Sequence, residues 1–207
     1  MTAYRRPLLP AALTAAALLL VACGNGGVSS APTTTIATDS ESGTSTVTAT
    51  ANPTATADER PLGKPDLLPK AQETQWSEDF IILDNIRAGS HQGFDRVVFD
   101  LTDGADPGWQ IDYVDEPLQQ ASGNPVDVAG NAFLHVMITN TTYPFELGIE
   151  DPLDPGTFPG AGQVNEIAYT SIFEGYTEAY IGLDEQLPYS VTLLHNPTRV
   201  VIDFEHQ

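Results

Sequence analysis

Arg96-Val97-Val98-Phe99-Asp100-Leu101, with its late echo Arg199-Val200-Val201-Ile202-Asp203-Phe204, is the stretch that decides the fold. In the first copy Val97, Phe99 and Leu101 share one face while Arg96, Val98 and Asp100 share the other, which is the period of two of a half-buried β-strand. The second copy repeats the pattern. If the two strands pair antiparallel, Arg96 faces Asp203 and Arg199 faces Asp100, each pair adding about 0.2–1 kcal/mol across the sheet. The competing reading gives Arg96 and Arg199 to an anionic ligand.

Outward from these strands the same alternation recurs between Gly, Pro, Asp and Asn turns, the mark of an antiparallel β domain. Phe80 to Arg87 reads as a first strand ending in a turn at Ala88-Gly89-Ser90. Trp109, Ile111 and Tyr113 form one stripe, and Ala132, Leu134, Val136 and Ile138 another, with Phe133, His135 and Met137 behind it. After a Pro- and Gly-rich loop (Pro144 to Gly162), strands are expected over Ile167–Phe173, Ala179–Leu183, Tyr189–His195 and Arg199–Phe204. No stretch keeps a 3.6-residue period with caps. The expected fold is all-β, a small antiparallel β-sandwich of about eight strands over residues 75–207.

Before it, residues 1–22 carry Arg5-Arg6, an apolar run from Leu8 to Val21 and small residues, the three parts of a signal peptide. The run ends in Leu20-Val21-Ala22-Cys23-Gly24, a lipobox pattern in which the Cys23 thiol takes a diacylglyceryl group. Cys23 is the one cysteine of the chain, so neither an internal disulfide nor a cysteine-rich metal site is available. Residues 23–74 start with this lipidation site and continue as a Ser/Thr/Ala/Pro-rich stretch too poor in large apolar side chains to fold, expected to be a disordered tether. The expected location is the extracytoplasmic face of the cell membrane, anchored through the lipid on Cys23.

The net charge is −20, and from residue 75 onward only Arg87, Arg96 and Arg199 stand against 22 acidic residues. Such a surface repels phosphate backbones, so nucleic acid is not an expected partner. His91, His135, His195 and His206 show no ligand spacing, no G-x-S-x-G elbow is present, and no motif asks for a metal or a cofactor. Glu150, Asp151 and Asp154 in the loop after Glu146 could offer oxygens to calcium, but without the spacing of a known calcium loop.

Phe94 to Leu101, the Trp109–Val114 strand, Phe173-Glu174-Gly175, Ile181-Gly182-Leu183 and Asn196-Pro197-Thr198 leading into Arg199–Phe204 together resemble the AMIN-like domain of lipoproteins from high-GC Gram-positive bacteria. The resemblance covers about residues 76 to 206. That domain is similar to the AMIN domain appended to N-acetylmuramoyl-L-alanine amidases and secretin-type pore proteins, a small β-sandwich implied to bind the cell wall and localise its host. In this sequence no catalytic domain follows the match, so the resemblance implies a binding module without an attached enzyme, and it supplies no catalytic residues.

Sugar faces stack on exposed Trp and Tyr rings, which makes Trp109, Tyr113, Tyr176 and Tyr180 the candidate ligand-binding aromatics alongside Arg96 and Arg199. Tyr180 points away from the stripe Ala179, Ile181, Leu183. The expected function is a lipid-anchored, non-catalytic binding or scaffolding module for cell-wall glycan or an envelope protein. The alternative is a wall-polysaccharide enzyme using carboxylates of the Tyr143 to Gly162 loop.

Overall fold

The computed structural model describes residues 60–74 and 76–207. The expected signal peptide, Cys23 and the tether as far as residue 59 lie outside the described residues. Among the described residues ten strands form two sheets: β1 (Lys70–Gln72), β2 (Leu83–His91), β3 (Phe94–Leu101), β4 (Trp109–Val114), β5 (Ala132–Thr139), β6 (Gly156–Pro159), β7 (Val164–Phe173), β8 (Tyr176–Leu183), β9 (Tyr189–Leu194) and β10 (Arg199–Glu205). The larger sheet runs β1-β4-β5-β8-β7-β6 and the smaller β2-β3-β10-β9, every neighbouring pair antiparallel.

The period-two stripes are what bring the sheets together. Val97, Phe99 and Leu101 of β3 and Val200, Ile202 and Phe204 of β10 share one core with Trp109 and Ile111 of β4, Leu134, Val136 and Ile138 of β5, and Ile181 and Leu183 of β8. Each such large side chain contributes about 1.5–3 kcal/mol by leaving water. The all-β sandwich expected from the sequence is the observed fold. The two strands beyond the expected eight, β1 and β6, are short edge strands of three and four residues.

β3 and β10 pair in the register that sets Arg96 opposite Asp203 and Arg199 opposite Asp100. Arg96 grips Asp203 with two bonds, Nε to Oδ1 at 2.6 Å and Nη2 to Oδ2 at 2.7 Å. The Arg199–Asp100 pair does not form. Asp100 is taken instead by Arg87 of β2, at 2.9 and 3.1 Å, and by the Asn85 amide at 3.2 Å. A central strand offers each outward residue two cross-strand neighbours, and here the β2 neighbour captures the carboxylate.

Two boundaries differ from the sequence reading. The first strand spans Leu83–His91 rather than Phe80–Arg87, and the chain reverses at Gln92-Gly93, where Gly93 takes a φ of 88°. This turn needs a left-handed residue at its second position, which Gly93 supplies without a Cβ penalty, while Ala88-Gly89-Ser90 runs on as strand opposite Val97, Arg96 and Asp95. The domain also starts before residue 75. The Leu62 amide donates to Asp203 at 2.6 Å, the Ser190 hydroxyl donates to the Leu62 carbonyl, Asp66 and Tyr189 exchange two backbone bonds, and β1 pairs with β4. This strap crosses from the β9 edge of one sheet to the β4 edge of the other. It is held through main-chain groups, while Leu67 and Leu68 stay exposed, so no apolar period marks it in the sequence.

The larger sheet is covered on its outer side as well. Segment 115–131 lies over β5, β8 and β7, where Val128 packs on Ala168 and Tyr180. Gly182 permits this approach, because a Cβ there would collide with the Ala129 carbonyl. Glu178 latches the segment down: it accepts from the Gln120 amide at 3.0 Å, the Thr170 hydroxyl at 2.7 Å and His135 Nε2 at 3.1 Å. Burial raises the pKa of Glu178, but these donors outweigh it and hold the carboxyl below its ordinary value of 4.5.

Two outcomes follow from these carboxylates. Removing one partner of a buried pair strands the other charge, so Arg96→Ala lowers unfolding stability by about 3–5 kcal/mol. Arg87→Ala, from a half-exposed pair, costs about 1 kcal/mol or less, and chemical denaturation of both variants reads the contrast. Because Glu178 is more acidic folded than unfolded, its contribution is whole above pH 4.5 and is lost as pH falls through the depressed folded value. Glu178→Gln therefore gives a less stable protein whose remaining stability changes less across that acid range, followed by circular dichroism.

Candidate functional site

At one end of the sandwich three loops are tied into a shelf. Asn140, in the left-handed region at φ 65°, ends β5; its Oδ1 accepts from the Ser77 amide and its Nδ2 donates to the Asp79 carbonyl, both at 3.3 Å. Ile81 donates to the Asn140 carbonyl at 3.3 Å, and Thr142 returns a bond to the Ile81 carbonyl at 3.1 Å. The Thr141 amide donates to the Gly175 carbonyl at 3.2 Å, which joins the β7–β8 hairpin to the same loops.

Trp76 rests on this shelf. Its indole lies over Gly175, where a Cβ would come within 2.9 Å of the ring, and Gly175 holds a φ of 84°. Its ring also meets Tyr176 edge to face, 5.9 Å between centroids at 74°. Even so, Trp76 remains 55% exposed. Between it and the sheet runs a groove of about 410 Å³, lined by Gln72, Trp76, Trp109, Gln110, Thr139 and Tyr176. Across the strap residues Gln72 to Thr74 lies a second hollow, about 480 Å³, lined by Ser77, Asp106 and Pro107 among others. The chain continuing from Thr141 carries Tyr143 and Phe145, stacked at 5.5 Å, with Phe145 74% exposed.

An exposed Trp beside a Tyr, with the Gln110 and Gln72 amides on the wall, suits a ligand with flat apolar faces and many hydroxyls; the Gln72 amide also donates to the Pro107 carbonyl at 3.3 Å, and the Thr139 hydroxyl is turned inward to the Gly108 amide at 3.1 Å. The rings provide contact area and the amides provide direction. Among the described residues no three His, Cys, Asp or Glu side chains are gathered to hold a metal ion, and Glu150, Asp151 and Asp154 form no such group.

The sequence-derived candidates separate. Tyr176 lines the groove, and Trp109 reaches it with one edge while the rest of its ring is core, 6% exposed. Tyr113 is half-buried against the core, with its hydroxyl engaged: it donates to the Leu187 carbonyl at 2.8 Å and accepts the Leu187 amide at 3.0 Å, and burial pushes its pKa up to about 12. Tyr180 does point away from the core stripe, but it is buried under segment 115–131. Its hydroxyl donates to the Leu118 carbonyl at 2.5 Å, its ring stacks on His135 at 4.6 Å, and burial raises its pKa. It offers no face to a sugar. Arg96 and Arg199 stand on the outer face of the smaller sheet, away from the groove; Arg199 Nε is buried there without an acceptor among the described residues.

Trp76, the most exposed indole, was not among those candidates. The signal was present: Trp76 follows Glu73-Thr74-Gln75 and precedes Ser77-Glu78-Asp79, and a large aromatic alone in a polar run has no stripe to join.

Neither the search of curated proteins nor the search of solved structures found a match. The AMIN-like domain family model matches residues 81–206, which takes in β2 to β10 and most of the loops that carry the shelf. The chain belongs to the AMIN-like domain family.

Proposed function

We propose that this protein is a non-catalytic binding module of the cell envelope that takes cell-wall glycan in the aromatic groove while a lipid on Cys23 holds it at the outer face of the membrane. The observation that carries the reading is Trp76, more than half exposed beside Tyr176 over a groove of about 410 Å³. Membership of the AMIN-like family supports a wall-associated module in general terms. An exposed indole held in place by Gly175 and the Asn140 loop loses little freedom when a ligand covers it, so most of the contact energy is retained. Confinement to the membrane plane raises the effective concentration of wall polymer, so a modest affinity per site is enough.

Co-sedimentation with purified cell wall tests the groove. The full chain pellets with the wall and leaves it intact; Trp76→Ala and Tyr176→Ala each weaken binding about tenfold or more, in the range expected of aromatic anchors, with melting curves close to the parent. Release of soluble wall fragments would favour the enzyme reading, and a parent chain that stays in solution would remove the glycan reading. The anchor is tested apart from the groove: Cys23→Ala moves the protein from the membrane fraction to the medium, while mass spectrometry of the parent finds a diacylglyceryl-modified mature terminus.

A further inference from the structure

The outer face of the smaller sheet carries a second and chemically different feature. The cross-strand registers arrange its outward residues in rows: Asn85, Asp100, Arg199 and Leu194; then Arg87, Val98, Val201 and Thr192; then Gly89, Arg96, Asp203 and Ser190; then His91, Phe94 and Glu205. All three arginines that follow residue 75 therefore stand on one face of a domain otherwise crowded with acids. Between the second and fourth rows is a hollow of about 90 Å³, floored by Val98 and the Ala88–Gly89 backbone and walled by Arg87, His91 and Arg96.

The side chains around this hollow are fixed in place. Asp100 holds Arg87 and Asp203 holds Arg96, each by Nε and Nη2. A guanidinium has five N–H donors, so each arginine keeps Nη1 and one Nη2 hydrogen for another acceptor. His91 stacks on the buried Phe94 ring, 4.5 Å between centroids at 6°, and Arg96 lies over that ring at 5.2 Å. Gly89 keeps the hollow open, since a Cβ there meets only His91 Nε2, at 3.8 Å. Arg199, with its buried Nε unpartnered among the described residues, adds a third guanidinium two rows from Arg96. Three acids share this face: Asp203, opposite Arg96, and Asp100 are engaged by the two guanidinium groups, Glu205 stands across Phe94, and none of the three lines the hollow.

We propose that this hollow binds a single oxyanion group, phosphodiester or carboxylate, carried by an envelope polymer. Its volume suits one such group, its lining donates hydrogen bonds from two anchored guanidinium groups, and the surrounding acidic surface rejects anions elsewhere. The site is separate from the aromatic groove, which lies on the larger sheet. Two contacts of different chemistry let the module distinguish an anionic wall polymer from a neutral one.

The test titrates the full chain in neutral detergent with polyglycerol phosphate, with polygalacturonate and with a neutral chitin oligomer, at fixed ionic strength. One of the two anionic polymers binds, affinity falls steeply with added salt, and Arg87→Ala weakens it at least tenfold. Gly89→Asp, which keeps every arginine but puts a carboxylate into the hollow, abolishes anion binding, and its unchanged melting curve shows the fold intact. Trp76→Ala leaves anion binding as it was, which separates this site from the groove. Binding of neither anionic polymer overturns the proposal, and so does anion binding that both Arg87→Ala and Gly89→Asp leave unchanged.

Discussion

The antiparallel pairing of β3 with β10 is the constraint on which the remaining structure depends. These strands form the centre of the smaller sheet, send six large apolar side chains into the core, and hold Asp203 and Arg96 together on the other side. Asp203 is 1% exposed, and a carboxylate so placed is tolerated only because the guanidinium and the Leu62 amide satisfy it. A slip of one residue in this register would turn the apolar stripe to solvent and the charges to the core. The same register fixes the rows on the outer face, and with them the hollow between Arg87, His91 and Arg96.

Polar groups inside the domain follow one rule: each buried charge fastens a piece of chain that apolar packing does not hold. Asp203 fastens the strap, and Glu178 fastens segment 115–131. Asp95, fully buried, takes the Gln163 amide and His206 Nε2, both at 2.8 Å, and so fastens the β6–β7 turn and the chain end. Gly162 beside it has a φ of 64° and no room for a side chain against that carboxylate. Hydrophobic burial thus sets the two sheets, while charge-assisted bonds set the loops around them.

Much of this was legible in the sequence, because alternation is a local signal. The stripes of β3, β4, β5 and β10 were readable from side-chain type alone, and so was the opposition of Arg96 with Asp203. Whatever depended on competition or on cover was not. Asp100 had two basic suitors, and composition could not say that Arg87 would win over Arg199. Tyr180 pointed outward as its position implied, but a segment with few large apolar residues folded over it. The strap was hidden because backbone bonds leave no pattern of residue types. The candidate groove was half legible for the same reason: Tyr176 and Trp109 belong to strands, whereas Trp76 is positioned by turns at Asn140 and Gly175.

The strap also settles how a pull would travel through the molecule. Residues 62 to 74 lead directly from the side of the chain bearing Cys23 to the wall of the groove, and on the way they are stitched to β9, to Asp203 and to β4. In the arrangement proposed above, with the lipid at a membrane and the groove on a wall polymer, tension would run along this short edge segment and bypass the sandwich interior. The bonds that meet this pull first along the chain are those at Leu62, on the buried Asp203, and at Asp66. Their rupture would free a few residues of the strap and leave the apolar core, to which the strap contributes no side chain, closed.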